Sequence, residues 1–362
     1  MVGRPRDRDR GLLKQQGGLQ KPNVVREANV APVRRVDGKW QAEDLKPDIV
    51  AVTTRGDLSA DLVLQCCAAR NIAVFRFNSE DYPQRVTFRL DPQDPESSCL
   101  LLSSGETVAI GRARSVWLRR PQWPVISPAV VDPLDRNLAV QEAVGAAGGL
   151  WRLLSHHCVS EPDALQAARW KLPQLRRAAE LGFAVPRSFV TSDRKAALTF
   201  LEQGPCVIKA IHEAHAQTGT SFLTGFTEPI EPNQLEGIDI APVFLQRRVD
   251  KIADYRVTVI GSRVFAARML TPAGAPVDVR ATRPRECAIH AVELDPVLEA
   301  ACLRFVRAAG LRFGCFDFGE DAQGTTWFLE CNPNGQWGWI ESATGQPITE
   351  AIVDLLLQPD RA

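Results

Sequence analysis

Asp317, Glu330 and Asn332 are the residues of this 362-residue chain whose types and spacing point most directly to chemistry. Asp317 stands in the run FDFG, and Glu330 and Asn332 stand in FLECNP, at the end of the next apolar run. Residues two apart on a strand face the same side, and a hairpin would set Asp317 beside them. Two carboxylates and an amide oxygen form a hard-oxygen donor set. That set suits Mg²⁺, which keeps several waters and shares ligands with nucleotide phosphates. A turn Asp, a surface Glu and an Asn–Pro turn would leave the same letters in the sequence, so the set gains meaning only from cationic company.

That company lies upstream. Lys171 opens KLPQLRRA, and Lys209 is embedded in the apolar run CVIKAI. An isolated buried ammonium is costly, so Lys209 needs either a partner anion such as a triphosphate or a snorkelling exit at a strand end. Asp254 and Arg256 share a face of ADYRVTVIG. A carboxylate there can accept from ribose hydroxyls, and a guanidinium can reach a phosphate with its fork of donors. Arg268, and Arg280 in VDVR, would add positive charge near a transferred phosphoryl group, although cross-strand ion pairing is the plainer reading of any one arginine here. Phosphoryl transfer is catalysed mainly by positioning and by such charges. The stretch HEAHAQTGTS (212–221) reads as a polar loop whose backbone N–H groups could cover phosphates. It is not a Walker-type loop, and His212 and His215 read as loop residues without a third ligand nearby.

The elements that must position these residues follow from periodicity. DIVAVTT (48–54), IAVFRFN (72–78) and SVWLRR (115–120) read as strands, and LSADLVLQCCAARN (58–71) as the helix that joins the first two. Strand–helix–strand order with short loops predicts a parallel unit. No G-x-G-x-x-G loop accompanies it, so the N-terminal α/β domain is Rossmann-like in layout without a dinucleotide signature. Residues 132–157 form a long helix candidate, and 164–183 another, with Pro173 kinking or breaking it. Strands are expected at 187–192, 206–211, 243–249, 253–270 (a hairpin about Gly261–Ser262), 312–319 and 325–333, with helices at 193–204, 295–310 and 347–358.

Composition bounds the rest. Lys+Arg and Asp+Glu each number 43, so no global field argues for nucleic acid or a membrane surface. No apolar run is long enough to span a bilayer, and MVGRPRDRDR does not develop into a secretory signal. Nine cysteines without a C-x-x-C pair fit reduced thiols in the cytoplasm. Residues 1–45, rich in Arg, Lys, Gln and Gly, read as a flexible basic arm.

The order Lys, strand Lys, polar loop, Q-R-R-V, D-x-R, then Asp…E-x-N resembles the ATP-grasp superfamily over about residues 165–358. SVWLRRP (115–121), KLPQLRRAAELGFAVPRSFVTSD (171–193), LQRRVDKIADYRVTVIG (245–261) and FLECNPNGQWGWIESATGQPI (328–348) look like the microviridin-type ATP-grasp peptide maturases, the graspetide synthetases. Leu118 stands where such enzymes often carry an aromatic, Cys331 where an apolar residue is usual, and the basic arm is an addition. The resemblance implies an ATP-grasp fold of α/β (α+β) class with an N-terminal Rossmann-like pre-ATP-grasp domain. It implies a pre-ATP-grasp domain over 46–160, a central subdomain over 161–240 and a C-terminal subdomain over 241–362 carrying the ATP and Mg²⁺ site. By it, Lys171 and Lys209 hold phosphates, Gln246 and the hinge from Arg247 to Val249 contact adenine, Asp254 takes the ribose, and Asp317, Glu330 and Asn332 bind magnesium. Arg256, Arg268 and Arg280 would stabilise charge on the transferred phosphoryl group.

The activity so implied is ATP-dependent phosphorylation of Asp or Glu side chains on a ribosomally made precursor peptide, followed by ω-ester or ω-amide macrocyclisation. Two other readings stand beside it: a RimK-type ligase adding an amino acid to a protein or small molecule, and a non-catalytic nucleotide-binding partner, which the intact Asp317/Glu330/Asn332 set disfavours. The expected partner is the precursor peptide, with no nucleic acid and no membrane. A homodimer is left open.

Overall fold

The computed structural model describes residues 45–211, 227–270 and 288–358, together with the strand backbones at 34–36, 39–41, 215–218 and 221–224. Of the basic arm, the antiparallel pair Arg34–Val36 and Lys39–Gln41 is described; the rest of that arm lies outside the described residues.

Ile49–Thr53 is an apolar run buried along its whole length, as a central parallel strand must be. Val74–Asn78 and Ser115–Leu118 flank it, both parallel to it. The crossover helix Leu58–Ala69 starts at Asp57, whose carboxylate accepts from the Ala60 N–H. Val86–Arg89, Cys99–Leu102 and Thr107–Val108 add a separate antiparallel sheet. The helix Pro133–Leu153 is capped by Asp132, with Pro133 in its first turn.

Two antiparallel sheets follow. The smaller runs Glu228–Pro229, Cys206–Lys209, Val243–Arg247, Ser188–Thr191 in spatial order. The larger runs Ile289–Val292, Arg263–Leu270, Lys251–Ile260, Phe313–Asp321, Thr326–Asn332. One face of the larger sheet carries Phe316, Phe318 and Phe328, which pack against Phe183 and Phe305 with ring centroids as close as 5.3 Å. Aromatic pairs of this kind add about 0.5–1.5 kcal/mol each beyond area burial, which makes the sheet a stiff platform. Its other face meets the N-terminal domain: Ile49, Val63 and Trp117 share a core with Phe313, Trp337, Ile348 and Val353.

Three expectations change. The helix expected over 164–183 is two, Pro162–Ala167 and Lys171–Glu180. Pro173 therefore lies in a first turn, where its missing N–H costs nothing. Within the expected polar loop and just past it lies an antiparallel pair, His215–Thr218 with Ser221–Thr224. A short helix, Gly338–Thr344, follows the N-P-N-G-Q-W stretch. No helix among the described residues is long and apolar enough to cross a membrane.

Candidate active site

Arg256, Asp317 and Glu330 form one row across three adjacent strands of the larger sheet: Arg256 is the register partner of Asp317, and Asp317 of Glu330. Asn332 lies two pairs further, opposite Cys315. Register partners project from the same face, so all four side chains belong to one side of the platform. Arg256 Nη1 donates to Asp317 Oδ1 at 2.7 Å, and Asn332 Nδ2 donates to Glu330 Oε1 at 3.1 Å.

A β-bulge makes this row. The register passes from Asp317↔Glu330 to Phe318↔Phe328, leaving Leu329 as the extra residue. Without it, Phe328 and Glu330 would share a face. With it, Phe328 points into the aromatic core and Glu330 to the opposite side. Cys331, the unusual residue of E-C-N, is a small core residue at 1 % exposure, and burial pushes its thiol well above the ordinary range.

The cations gather from two directions. Arg256 is largely enclosed, and burial alone would lower its pKa; the Asp317 carboxylate, with Cys315 and Glu330 behind it, more than offsets this and raises it above the usual value. Its Nε is a buried donor without a hydrogen-bond partner among the described residues, a group that an anion would satisfy. Its guanidinium also stands 5.7 Å from the ring of the part-exposed Trp339. Lys171 bridges the two sheets: Nζ donates to the Ala210 carbonyl at 2.9 Å and stands 3.9 Å from Glu330 Oε2. Lys209 leaves the smaller sheet with Nζ 2.9 Å from Gln246 Oε1, and Gln246 in turn donates to Ser188 Oγ at 2.9 Å.

The remaining candidates have other surroundings. Arg247 turns its guanidinium into the smaller subdomain, donating to the Phe200 and Gly204 carbonyls and lying 4.3 Å over the Phe200 ring. Val249 is half-buried just past that strand. Asp254 is buried and ion-paired with Lys251 at 2.5 Å; the Lys251 stem crosses Gly319, where an added Cβ would meet it at 2.6 Å. Arg268 is the register partner of Tyr255, so it leaves the sheet from the face opposite Arg256, and it pairs with Glu320 at 2.7 Å. Arg280 lies outside the described residues.

From the sequence, the Arg119–Arg120–Pro121 stretch could either contact substrate or brace the junction between domains; the partner that Arg119 steadies, the N-P-N-G-Q-W turn after Asn332, was not legible there. Arg119, 1 % exposed, pairs with the fully buried Asp57 at 3.3 Å and donates to the Asn334 carbonyl and to Gln336 Oε1. It lies 4.7 Å over the Trp337 ring. Burial pushes its pKa down to about 10, which still leaves it charged at neutral pH. Arg119 of W-L-R-R-P thus braces the junction between domains, whereas Arg120 is exposed. Gly335 is required at this turn because a Cβ there would meet Cys315 Cβ at 2.3 Å.

No three His, Cys, Asp or Glu side chains converge as a metal cluster among the described residues. The candidate set is instead two part-exposed carboxylates, at 33 % and 25 % side-chain exposure, with the Asn332 amide beside them. An all-oxygen, incompletely enclosed set fits Mg²⁺, which binds through one or two carboxylates and takes its other ligands from water and phosphate.

Comparison with known proteins is consistent with this geometry. The family described as the MvdD pre-ATP grasp domain matches residues 48–166. No curated protein matches the sequence. The macrocyclase MdnB from Microcystis aeruginosa MRC is 26 % identical with a TM-score of 0.72, over 86 % of this chain and 99 % of its own. The ATP-grasp ligase PsnB, solved with minimal precursor, Mg and ADP, is 25 % identical with a TM-score of 0.69, over 88 % of this chain and 99 % of its own. The Chryseobacterium gregarium RiPP-associated ATP-grasp ligase, solved with ADP and a leader and core peptide, is 21 % identical with a TM-score of 0.78, over 88 % of this chain and 98 % of its own. The chain therefore has the ATP-grasp fold with a pre-ATP-grasp domain at its N-terminal side, and along most of its length it resembles the ATP-grasp ligases of ribosomal peptide maturation.

Proposed function

We propose that the chain is an ADP-forming carboxylate ligase that phosphorylates Asp or Glu side chains of a ribosomally made precursor peptide and closes ω-ester or ω-amide rings. The observation that carries this is the Arg256–Asp317–Glu330 row with Asn332 beside it, on a fold shared with MdnB and PsnB. In this reading the domains divide as 46–160, 161–240 and 241–362. The nine cysteines, scattered singly apart from Cys66–Cys67, fit a cytoplasmic setting.

In such a reaction a peptide carboxylate oxygen takes the γ-phosphoryl group of ATP as ADP leaves. A hydroxyl or amine of the same peptide then attacks the acyl carbon, loses its proton, and phosphate departs. Bound Mg²⁺ would supply charge neutralisation at the phosphates. Asp317, Glu330 and Asn332 would hold it. Lys171, at the seam of the two sheets, and Lys209 would hold phosphate oxygens. The Q-R-R-V hinge would take adenine through its backbone, since the Arg247 side chain is turned away. Arg256, preorganised by Asp317, would face the charge that develops during transfer.

Arg256→Ala should therefore lower turnover by about 100-fold or more while changing ADP affinity far less, a split read from steady-state kinetics and calorimetry. An unchanged turnover rate would exclude the role.

The function itself is tested by ADP release with Mg²⁺ and a precursor peptide encoded beside this protein's own reading frame, followed by peptide mass. Peptide-stimulated ADP release with loss of one water, roughly 18 Da, per ring is the expected result, because both reacting groups belong to one bound chain. Mass gained on an acceptor would point to an intermolecular ligase, and no ADP release under any condition would overturn ligase activity.

A further inference from the structure

The Thr326–Asn332 strand that carries Glu330 and Asn332 is an edge strand: the larger sheet ends with it. An edge strand presents backbone N–H and C=O groups that must find partners where they are buried. Here Phe328 N–H finds the Ala184 carbonyl at 2.8 Å. Cys331, between the two candidate ligands, finds a side chain. Gln174 Oε1 accepts from the Cys331 N–H at 2.9 Å, and Gln174 Nε2 donates to the Cys331 carbonyl at 2.9 Å. The second Nε2 proton goes to the Ala168 carbonyl. One amide thus stands in for a missing neighbouring strand, and it is 4 % exposed. An amide has two donors and an acceptor with which to do this.

Gln174 is three residues from Lys171 on the same helix, a spacing that puts both on neighbouring positions of one helix face. The two-point bond to Cys331 therefore ties that helix to the strand end where the Lys171 ammonium and the Glu330 carboxylate stand 3.9 Å apart. We infer that Gln174 is a positioning residue: it locks the helix bearing the phosphate-facing lysine to the strand end bearing the magnesium-facing Glu330 and Asn332. The inference rests on the nucleotide–magnesium reading of that site.

The test is ADP binding by calorimetry across a Mg²⁺ series, with thermal melting of each protein. Gln174→Met keeps the length and loses all three bonds. It should raise the Mg²⁺ concentration needed for half-maximal tightening of ADP by about 10- to 100-fold, the range for partners that orient metal ligands, while ADP affinity in EDTA stays near that of the wild type. Gln174→Asn keeps an amide too short to reach Cys331, and it should behave alike if the Met variant does not fold. Leu150→Ala, in the separate N-terminal core, should lower Tm without moving the Mg²⁺ midpoint. A wild-type midpoint in the Gln174 variants overturns the clamp and leaves the site reading intact. A midpoint that moves as far in Leu150→Ala overturns it in favour of general loosening. Magnesium-independent ADP binding by the wild type removes the site reading and the clamp together.

Discussion

Glu330→Ala and Asn332→Ala should each lower magnesium-dependent ATP turnover by more than about 100-fold, beyond the 10- to 100-fold range typical of residues that only orient ligands. The physical reason is that the donor set is small. With two carboxylates and one amide, losing either Glu330 or Asn332 takes an oxygen from a set that already draws its other ligands from water and phosphate, so the ion is no longer held in one fixed place. The fold should survive, because Glu330 lies on the face of the sheet opposite the aromatic core. Stability should change little: the like charges of Asp317 and Glu330 on adjacent strands are already offset by Arg256 at 2.7 Å and Lys171 at 3.9 Å, and both carboxylates are part-exposed. ADP release and a thermal melt on the same preparations check both halves. Retained turnover in both variants would sink the magnesium assignment, and a collapsed melt would mean that the loss is structural.

Arg119→Ala carries the second large effect, on stability rather than chemistry. It strands the Asp57 carboxylate at no measurable side-chain exposure, with Thr53 Oγ1 at 2.9 Å and the Ala60 N–H at 3.3 Å as its remaining donors. Breaking a buried ion pair by removing one partner costs about 3–5 kcal/mol, a fall in Tm on the order of 10 °C. Arg119→Lys should recover little, since a single ammonium cannot also reach Asn334, Gln336 and the Trp337 face as the planar fork does. Asp57→Asn in the Arg119→Met background should regain part of the loss, because the stranded charge is then gone. Exposed Arg120→Ala should stay within about 0.5 kcal/mol of wild type. Equal melts for the Arg119 and Arg120 variants would refute the brace.

Local elements were legible in this sequence wherever one force dominates. Ile49–Thr53 reads as a strand because an unbroken apolar run is buried on both faces. Pro133–Leu153 and Pro296–Ala308 read as helices because Asp132 and Asp295 cap them ahead of a proline in the first turn. Lys209 could be singled out because an ammonium in an apolar run is expensive unless it serves something, and Asp317, Glu330 and Asn332 because their oxygens at that spacing form a hard-oxygen donor set. The order of these motifs also carried the resemblance to ATP-grasp enzymes.

Long-range pairing was not legible. Period-2 alternation alone would put Phe328 and Glu330 on one face, and the bulge at Leu329 that separates them is written in the pairing with Phe313–Asp321 rather than in either strand. Arg268 looked equivalent to Arg256 by composition, yet the hairpin register sends it to the other face and to Glu320. Gln174 sat as one polar letter inside a helix, and its partner is 157 residues away. The sequence by itself determined most of the segments that form strands and helices, though not the pair over 215–224 or the helix Gly338–Thr344, and which charged residues have to be explained, since those follow from local propensity and from the cost of burying charge. The tertiary structure alone decided which of those charges share a face, because register, bulges and side-chain clamps depend on contacts between segments far apart in the chain.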